Sequence, residues 1–190
     1  MLAKVALGVT SMTSVAAGTC AYRLFRQSRT DPLTGLGNRA ALVSAFNRAM
    51  RRGRGLVGVA VGDMNGFKAI NDVHGHRFGD QVLITVAETL RTTANRGEVP
   101  VRLHGDEFAL LLPNVDTPEH AEHRVREYQA AVSTITEING QPVEVGLALG
   151  VMTSPAAKAQ LTTLLASADD RMYGDKHTNH HHTSRAAMAA

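Results

Sequence analysis

Two adjacent carboxylates, Asp106 and Glu107, are the residues whose type and spacing first suggest chemistry in this chain. They lie within Arg102-Leu103-His104-Gly105-Asp106-Glu107-Phe108, between apolar runs at 99–103 and 108–112, each short and bounded by a Pro. That pattern predicts two antiparallel strands joined by a tight turn at His104-Gly105-Asp106, with both acids at the hairpin tip. Neighbouring carboxylates beside buried strands repel each other. Two arrangements relieve them, a hard divalent cation with a phosphate ligand or exposure to water, and these seven residues leave both open.

A further acid stands at the end of another strand-like run. Residues 56–61 are apolar and β-rich and lead into Asp63-Met64-Asn65-Gly66-Phe67-Lys68-Ala69-Ile70-Asn71-Asp72, then Gly75-His76 and Gly79-Asp80. The C-terminal end of a buried strand is where open α/β sheets place ligands. In order and spacing these residues, with Arg-x-x-Gly-Asp-Glu-Phe, resemble the GGDEF family, the diguanylate cyclases. Two flanking stretches extend the resemblance, Asp31-Pro32-Leu33-Thr34-Gly35-Leu36-Gly37-Asn38-Arg39 before and Ala168-Asp169-x-x-Met172-Tyr173-x-x-Lys176 after. Four ordered motifs cover residues 30–176.

The resemblance implies an α+β, nucleotide-cyclase-like fold, a mixed five-stranded sheet surrounded by helices. It also implies condensation of two GTP into cyclic di-GMP with release of pyrophosphate, assisted by Mg²⁺ or Mn²⁺. Asp63 and Asp106 would ligate the cation, with the Met64 carbonyl assisting, and Glu107 would bind metal or take the attacking hydroxyl's proton. Catalysis would thus rest on Asp106 and Glu107. Asn71 and Asp80 would read the guanine edge, while Phe67, Lys68, Gly105 and Lys176 would position the triphosphate. Because the product joins two GTP molecules, a homodimer is implied for turnover.

Three departures from the family pattern carry consequences. His104 stands where the family usually has Gly, sometimes Ala or Ser, at a turn lying against the phosphates. Its ring therefore blocks GTP, swings out to solvent, or donates to a phosphate. The first of these implies an alternative function, a degenerate domain that holds GTP or a protein partner without turnover. Asn65 replaces a usual Asp, and His180 stands where a basic residue is common. The family's inhibitory Arg-x-x-Asp motif is also absent, its register falling on Asn95-Arg96-Gly97-Glu98. No inhibitory site is expected.

Several elements must position these residues. Residues 39–50 read as a helix with Leu42, Ala45, Phe46 and Ala49 on one face, and 75–90 as a loop entering a second helix. Residues 118–134 read as a helix, 143–151 as a strand, and 161–173 as a last amphipathic helix. Strands and helices alternating around a hairpin indicate helices covering a sheet. The length suits one such domain at 30–176, with appendages at 1–29 and 177–190.

Composition narrows the partners. The chain has no Trp and 4% aromatic residues, poor equipment for stacking on single-stranded nucleic acid. Its net charge of +3 is scattered, with Arg51, Arg52 and Arg54 the densest cluster, so no phosphate-backbone footprint is indicated. A lone Cys20 excludes an intrachain disulfide and fits a reducing compartment. Residues 5–22 carry no charge, and Lys4 precedes them while Arg23, Arg26 and Arg29 follow. At the lower length limit for a membrane-spanning helix, the segment reads as an anchor holding the domain on the inner face of the cell membrane. A soluble helix packed on a partner and a cleaved signal peptide are the other readings. His177, His180, His181 and His182 fall in the tail, read as polar and disordered, although the spacing could bind a transition metal. His120 and His123 read as surface residues.

Overall fold

The computed structural model describes residues 29–52 and 55–187, with backbone alone for residue 52 and for 175–187. In order, the elements are α1 (Arg39–Arg52), β1 (Leu56–Met64), α2 (Phe67–His74), α3 (His76–Thr93), β2 (Val99–His104), β3 (Glu107–Val115) and α4 (Pro118–Ser133). There follow a ribbon of β4 (Glu137–Ile138) with β5 (Gln141–Pro142), then β6 (Leu147–Pro155) and α5 (Leu161–Ala187). The main sheet has the order β2-β3-β1-β6, every neighbouring pair antiparallel.

Alternation along the central strands builds a three-layer molecule. Val57, Val59 and Val61 of β1 share one face with Ala109 and Leu111 of β3, packed with Leu42 and Phe46 of α1 and Leu164 and Ala168 of α5. Ala60, Phe108, Leu110 and Leu112 share the other face with Val82, Val86 and Leu90 of α3 and Val125, Tyr128 and Val132 of α4. A strand covered on both faces reads as a continuous apolar run, which is why 56–61 lacks a polar stripe. Local caps agree with the packing. Asn38 accepts from the backbone of Ala40 and Ala41 at 2.9 and 3.2 Å to start α1, and Thr117 accepts from His120 N at 3.1 Å to start α4.

The α+β class is as expected, with four differences of detail. Four strands rather than five make the main sheet, and it is antiparallel throughout, the only parallel element among the described residues being a single bridge from Gly37 to Val101. The strand expected at 143–151 begins at Leu147, because Gly146 is engaged by Asn65 N at 2.9 Å. Residues 67–74 form a separate helix, α2, hidden in a stretch rich in polar residues. The last helix, expected to end at 173, continues in its backbone to Ala187 through the tail read as disordered. Gly174 was the one breaker there, and a single Gly costs a helix only about 1 kcal/mol. Among the described residues no helix is long and apolar enough to cross a membrane, and residues 5–22 lie outside them.

Candidate functional site

The acids collect where β1 ends beside the β2–β3 turn. Asp63 is in direct register with Glu107 across β1 and β3, and Glu107 is in register with His104 across β3 and β2. Directly opposed residues project to the same face of a sheet, so Asp63 and Glu107 share a face, while His104 meets Glu107 across a register shift between Arg102 and His104. The turn itself is the two residues Gly105-Asp106, with Gly105 at φ 52°, a conformation that favours glycine. It is tied to β1 by Met64 N donating to the Asp106 carbonyl at 3.3 Å. The His104 Nε2 lies 3.0 Å from Glu107 Oε2, the two side chains being 70% and 40% exposed. The imidazole is therefore at the solvent-facing tip, engaged with an acid of the site.

A second tier holds that turn in place. Arg102 donates from Nε to the Gly105 carbonyl at 2.8 Å and from a terminal nitrogen to Asp31 Oδ1 at 3.0 Å. The same Asp31 oxygen accepts from Thr34 N and Thr34 Oγ1 at 2.8 and 2.6 Å. Burial pushes the Asp31 carboxyl up, but the Thr34 hydrogen bonds and the Arg102 guanidinium outweigh it and hold it below the usual range. Arg102 N also donates to Gly37 O at 2.9 Å. The loop before α1 is thus a brace for the acidic turn. Sequence reading quoted both stretches without giving them this role; the signal was an Arg three residues before the turn's Gly and an Asp-x-x-Thr turn, each needing a partner.

Asn71, Asp80, Phe67 and Lys68 stand on the adjoining helix pair. Asn71 packs directly on α3, where a Cβ at Gly79 would collide with its Oδ1 and come within 3.3 Å of Phe67 Cζ. Gly79 is the residue that lets α2 and α3 close on each other here. Asp80 and Lys68 are exposed, and Phe67 is half-buried. Asn71 and Phe67 thus meet α3 at Gly79, with Lys68 and Asp80 next to them in sequence on exposed positions of α2 and α3. Lys176 lies on α5, and its side chain falls outside the described residues, as do those of His177, His180, His181 and His182. His120 and His123 are on the surface of α4, beside Asp116 at 3.5 Å and Glu127 at 4.0 Å.

Whether a divalent cation fits can be judged from the donors present. Among the described residues no cluster of three or more His, Cys, Asp or Glu is gathered for metal. An all-protein cage is therefore not what the acids build. Mg²⁺ is characteristically held by one or two carboxylates, several waters and substrate phosphates, and Asp63 with the acidic turn supplies that kind of set.

The register of the inhibitory motif is occupied by scaffold. Glu98 accepts from Arg124 at 2.9 and 2.7 Å, from Tyr128 Oη at 2.8 Å and from Asn95 N at 2.8 Å. Arg124 also donates to Thr93 O at 3.0 Å and pairs with Glu127. Both members of the Glu98–Arg124 pair are only 10% exposed. Burial pushes the Glu98 carboxyl up, yet the bonds from Arg124, Asn95 and Tyr128 outweigh it and hold it low. Burial together with the Glu98 bond pushes the Tyr128 hydroxyl far up.

Comparison with known proteins identifies the family. Residues 28–182 match the family model described as diguanylate cyclase, GGDEF domain. Diguanylate cyclase DgcN of Escherichia coli is 36% identical over 163 residues, which are 82% of this chain but 38% of DgcN. The chain thus spans well under half of that relative. The GGDEF domain of TpbB from Pseudomonas aeruginosa superposes with a TM-score of 0.72 at 33% identity, over 78% of this chain and 89% of that one. The coiled coil and GGDEF domain of DgcB from Caulobacter crescentus, solved with c-di-GMP, has the same fold at a TM-score of 0.82 and 22% identity, over 94% and 96% of the two chains. With the matched span running from the brace loop through the acidic turn and into α5, the chain belongs to the family of diguanylate cyclase GGDEF domains.

Proposed function

We propose that this chain is a diguanylate cyclase that condenses two GTP into cyclic di-GMP and pyrophosphate. The observation that carries the reading is the row of Asp63 and Glu107 in register at the end of β1, next to the braced Asp106 turn. The helix pair bearing Asn71 and Asp80 follows directly. In this reading Asp63 and Asp106 would hold Mg²⁺ or Mn²⁺ with the Met64 carbonyl assisting, Glu107 would bind the cation or take the attacking hydroxyl's proton, and the cation would supply neutralisation of charge developing on the phosphates. Asn71 and Asp80 accept from guanine donors, while Phe67, Lys68, Gly105 and Lys176 seat the triphosphate.

Each of the two bonds forms in the same way. The 3′-oxygen of one GTP attacks the α-phosphorus of the other, the bond from that phosphorus to the β-bridging oxygen breaks, and pyrophosphate leaves. The hydroxyl proton goes to Glu107 where that carboxylate serves as base rather than as a ligand of the cation. One domain seats one GTP, so two copies must face each other, and specific activity should fall on dilution.

The alternative, a domain that binds GTP or a partner without turnover, rests on His104 filling phosphate space. A ring 70% exposed and turned onto Glu107 favours the enzyme instead. The deciding experiment is incubation of the protein with GTP and Mg²⁺ over a range of protein concentrations, followed by chromatography for cyclic di-GMP. Product formation supports the reading, and GTP binding without product at any concentration supports the alternative. The commitment of Glu98 to Arg124 and Tyr128 favours a cyclase without tight feedback inhibition at this register. Calorimetric titration of the Asp106→Ala variant with cyclic di-GMP should give no binding in the micromolar range or below.

A further inference from the structure

We infer that Gly146 is a positioning residue for this site, setting the turn that joins the acid at the end of β1 to the phosphate-seating start of α2. The inference rests on the cyclase reading and deepens it. β1 and β6 pair as far as Met64 with Leu147, and only Asn65 and Gly66 then separate β1 from Phe67 at the head of α2. Asp63 lies just before this turn and Lys68 just after it. Any shift of the turn therefore changes the spacing between that acid and the residues that seat the triphosphate.

The turn has two backbone ties. Met64 N donates to Asp106 O at 3.3 Å, toward the acidic turn, and Asn65 N donates to Gly146 O at 2.9 Å, just ahead of β6. No side chain caps α2, which is entered through Gly66, so the common anchor of a helix start is missing here. On another side the turn borders an open cavity of about 520 Å³, lined in part by Asn65, Gly66, Ile70, Val143 and Gly146. Gly146 is thus the firm wall on this side of the turn.

What suits Gly146 to this place is the side chain it lacks. A Cβ there would come within 2.9 Å of Asn65 Nδ2, 3.4 Å of its Cβ and 3.5 Å of its Cγ. The Asn65 side chain therefore lies against the bare backbone of Gly146 while Asn65 N bonds to its carbonyl, so side chain and main chain are set by one neighbour. Gly146 itself has little freedom to retreat, because Val145 and Leu147 on either side of it are both buried. The amide end of Asn65 can swing into the cavity, but its Cβ moves only with the backbone. A larger side chain at 146 accordingly pushes the turn itself, and the push grows with size.

The test uses the full chain and calorimetric binding of a non-hydrolysable GTP analogue with Mg²⁺. Wild type is compared with Gly146→Ala, Gly146→Val, Asn65→Ala, and each Gly146 variant combined with Asn65→Ala. Residues in contact couple on a scale of about twofold to a hundredfold. Affinity should fall about threefold in Gly146→Ala and about tenfold in Gly146→Val. Asn65→Ala alone should stay within about twofold of wild type, and added to either Gly146 variant it should recover most of the loss. Melting temperatures should stay close to wild type, since the displaced amide has the cavity to enter. A glycine needed only for folding would lose stability in step with affinity and gain nothing from Asn65→Ala. If Gly146→Val fails to fold, the alanine pair decides by the same rule. Unchanged affinity in the Gly146 variants, or a loss that Asn65→Ala leaves in place, overturns the inference and leaves the cyclase reading standing. Failure of wild type to bind the analogue overturns both.

Discussion

Two polar clusters in this molecule are built in opposite ways. Around Glu98, the side chains of Arg124, Tyr128 and Glu127 and the backbone of Asn95 and Thr93 close on one another, with the central ion pair 10% exposed on each side. Around Asp63, Asp106 and Glu107 the carboxylates stand at a strand end and a hairpin tip, with Glu107 40% exposed. The first cluster has its hydrogen-bonding capacity taken up by the protein, as do all buried side-chain polar atoms among the described residues. The second lies at the solvent-facing end of the sheet, its Glu107 paired with an exposed His104 rather than with buried groups. Charges that serve the fold are closed off, because a buried charge without partners costs several kcal/mol. Around the acidic turn, the brace from Asp31 through Arg102 to Gly105 fixes the backbone through the Gly105 carbonyl and not through the carboxylates of Asp106 or Glu107.

Substitutions separate the two designs. The largest effect on activity should come from Asp63→Ala and Asp106→Ala, each lowering cyclic di-GMP formation about a hundredfold or more, the scale of losing a preorganised electrostatic group. Their thermal melting curves should match wild type, since neither acid is part of the closed cluster. A variant that keeps its product rate removes its residue from the site. The converse substitution, Glu98→Ala, should cost about 3 kcal/mol by stranding Arg124 in a buried position. Urea unfolding would read that loss, and turnover per folded molecule should be unchanged. Equal stability would mean that the buried pair contributes nothing net.

The brace lies between these extremes. Arg102→Lys keeps the charge but cannot span both the Gly105 carbonyl and Asp31 with a planar fork. Turnover should fall about tenfold, the cost of a slightly misplaced site, with GTP affinity nearly intact. A variant with unchanged kcat would reduce Arg102 to a packing role.

The smallest effect concerns acid. In the fold the Glu98 carboxyl is held below its ordinary value of 4.5, so the pair's stabilisation is complete above that value and is lost as pH falls through the lower, folded one. Wild type should therefore lose stability below about pH 4.5 more steeply than Glu98→Gln. Parallel melting temperatures for the two proteins across pH 3–6 would assign the acid limb elsewhere, with Asp31, also held low, the next group to test.

Much of this was written in local pattern. The hairpin, β1, α1, α3 and α4 follow from apolar spacing and caps, since period and capping chemistry act over a few residues. Phe108 and Leu110 were legible as core and are fully buried. The helix α2 was not legible, because it is only eight residues long and none of them is fully buried, although Phe67 and Ile70 pack against the core one turn apart. The continuation of α5 past Gly174 was hidden for the reason that one weak helix former does not decide a long helix.

By itself the sequence determined the family, the order of the acidic motifs and the residue types available for chemistry, since these depend only on identity and spacing along the chain. What Glu98 and His104 do was decided by tertiary structure. A glutamate in the register of an inhibitory motif became a scaffold residue because α4 brings Arg124 and Tyr128 against it from 26 and 30 residues away. A histidine that could have pointed three ways was turned onto Glu107 by the strand register. Both outcomes depend on which side chains meet across elements, and pairing across elements is not encoded in any local run of residues.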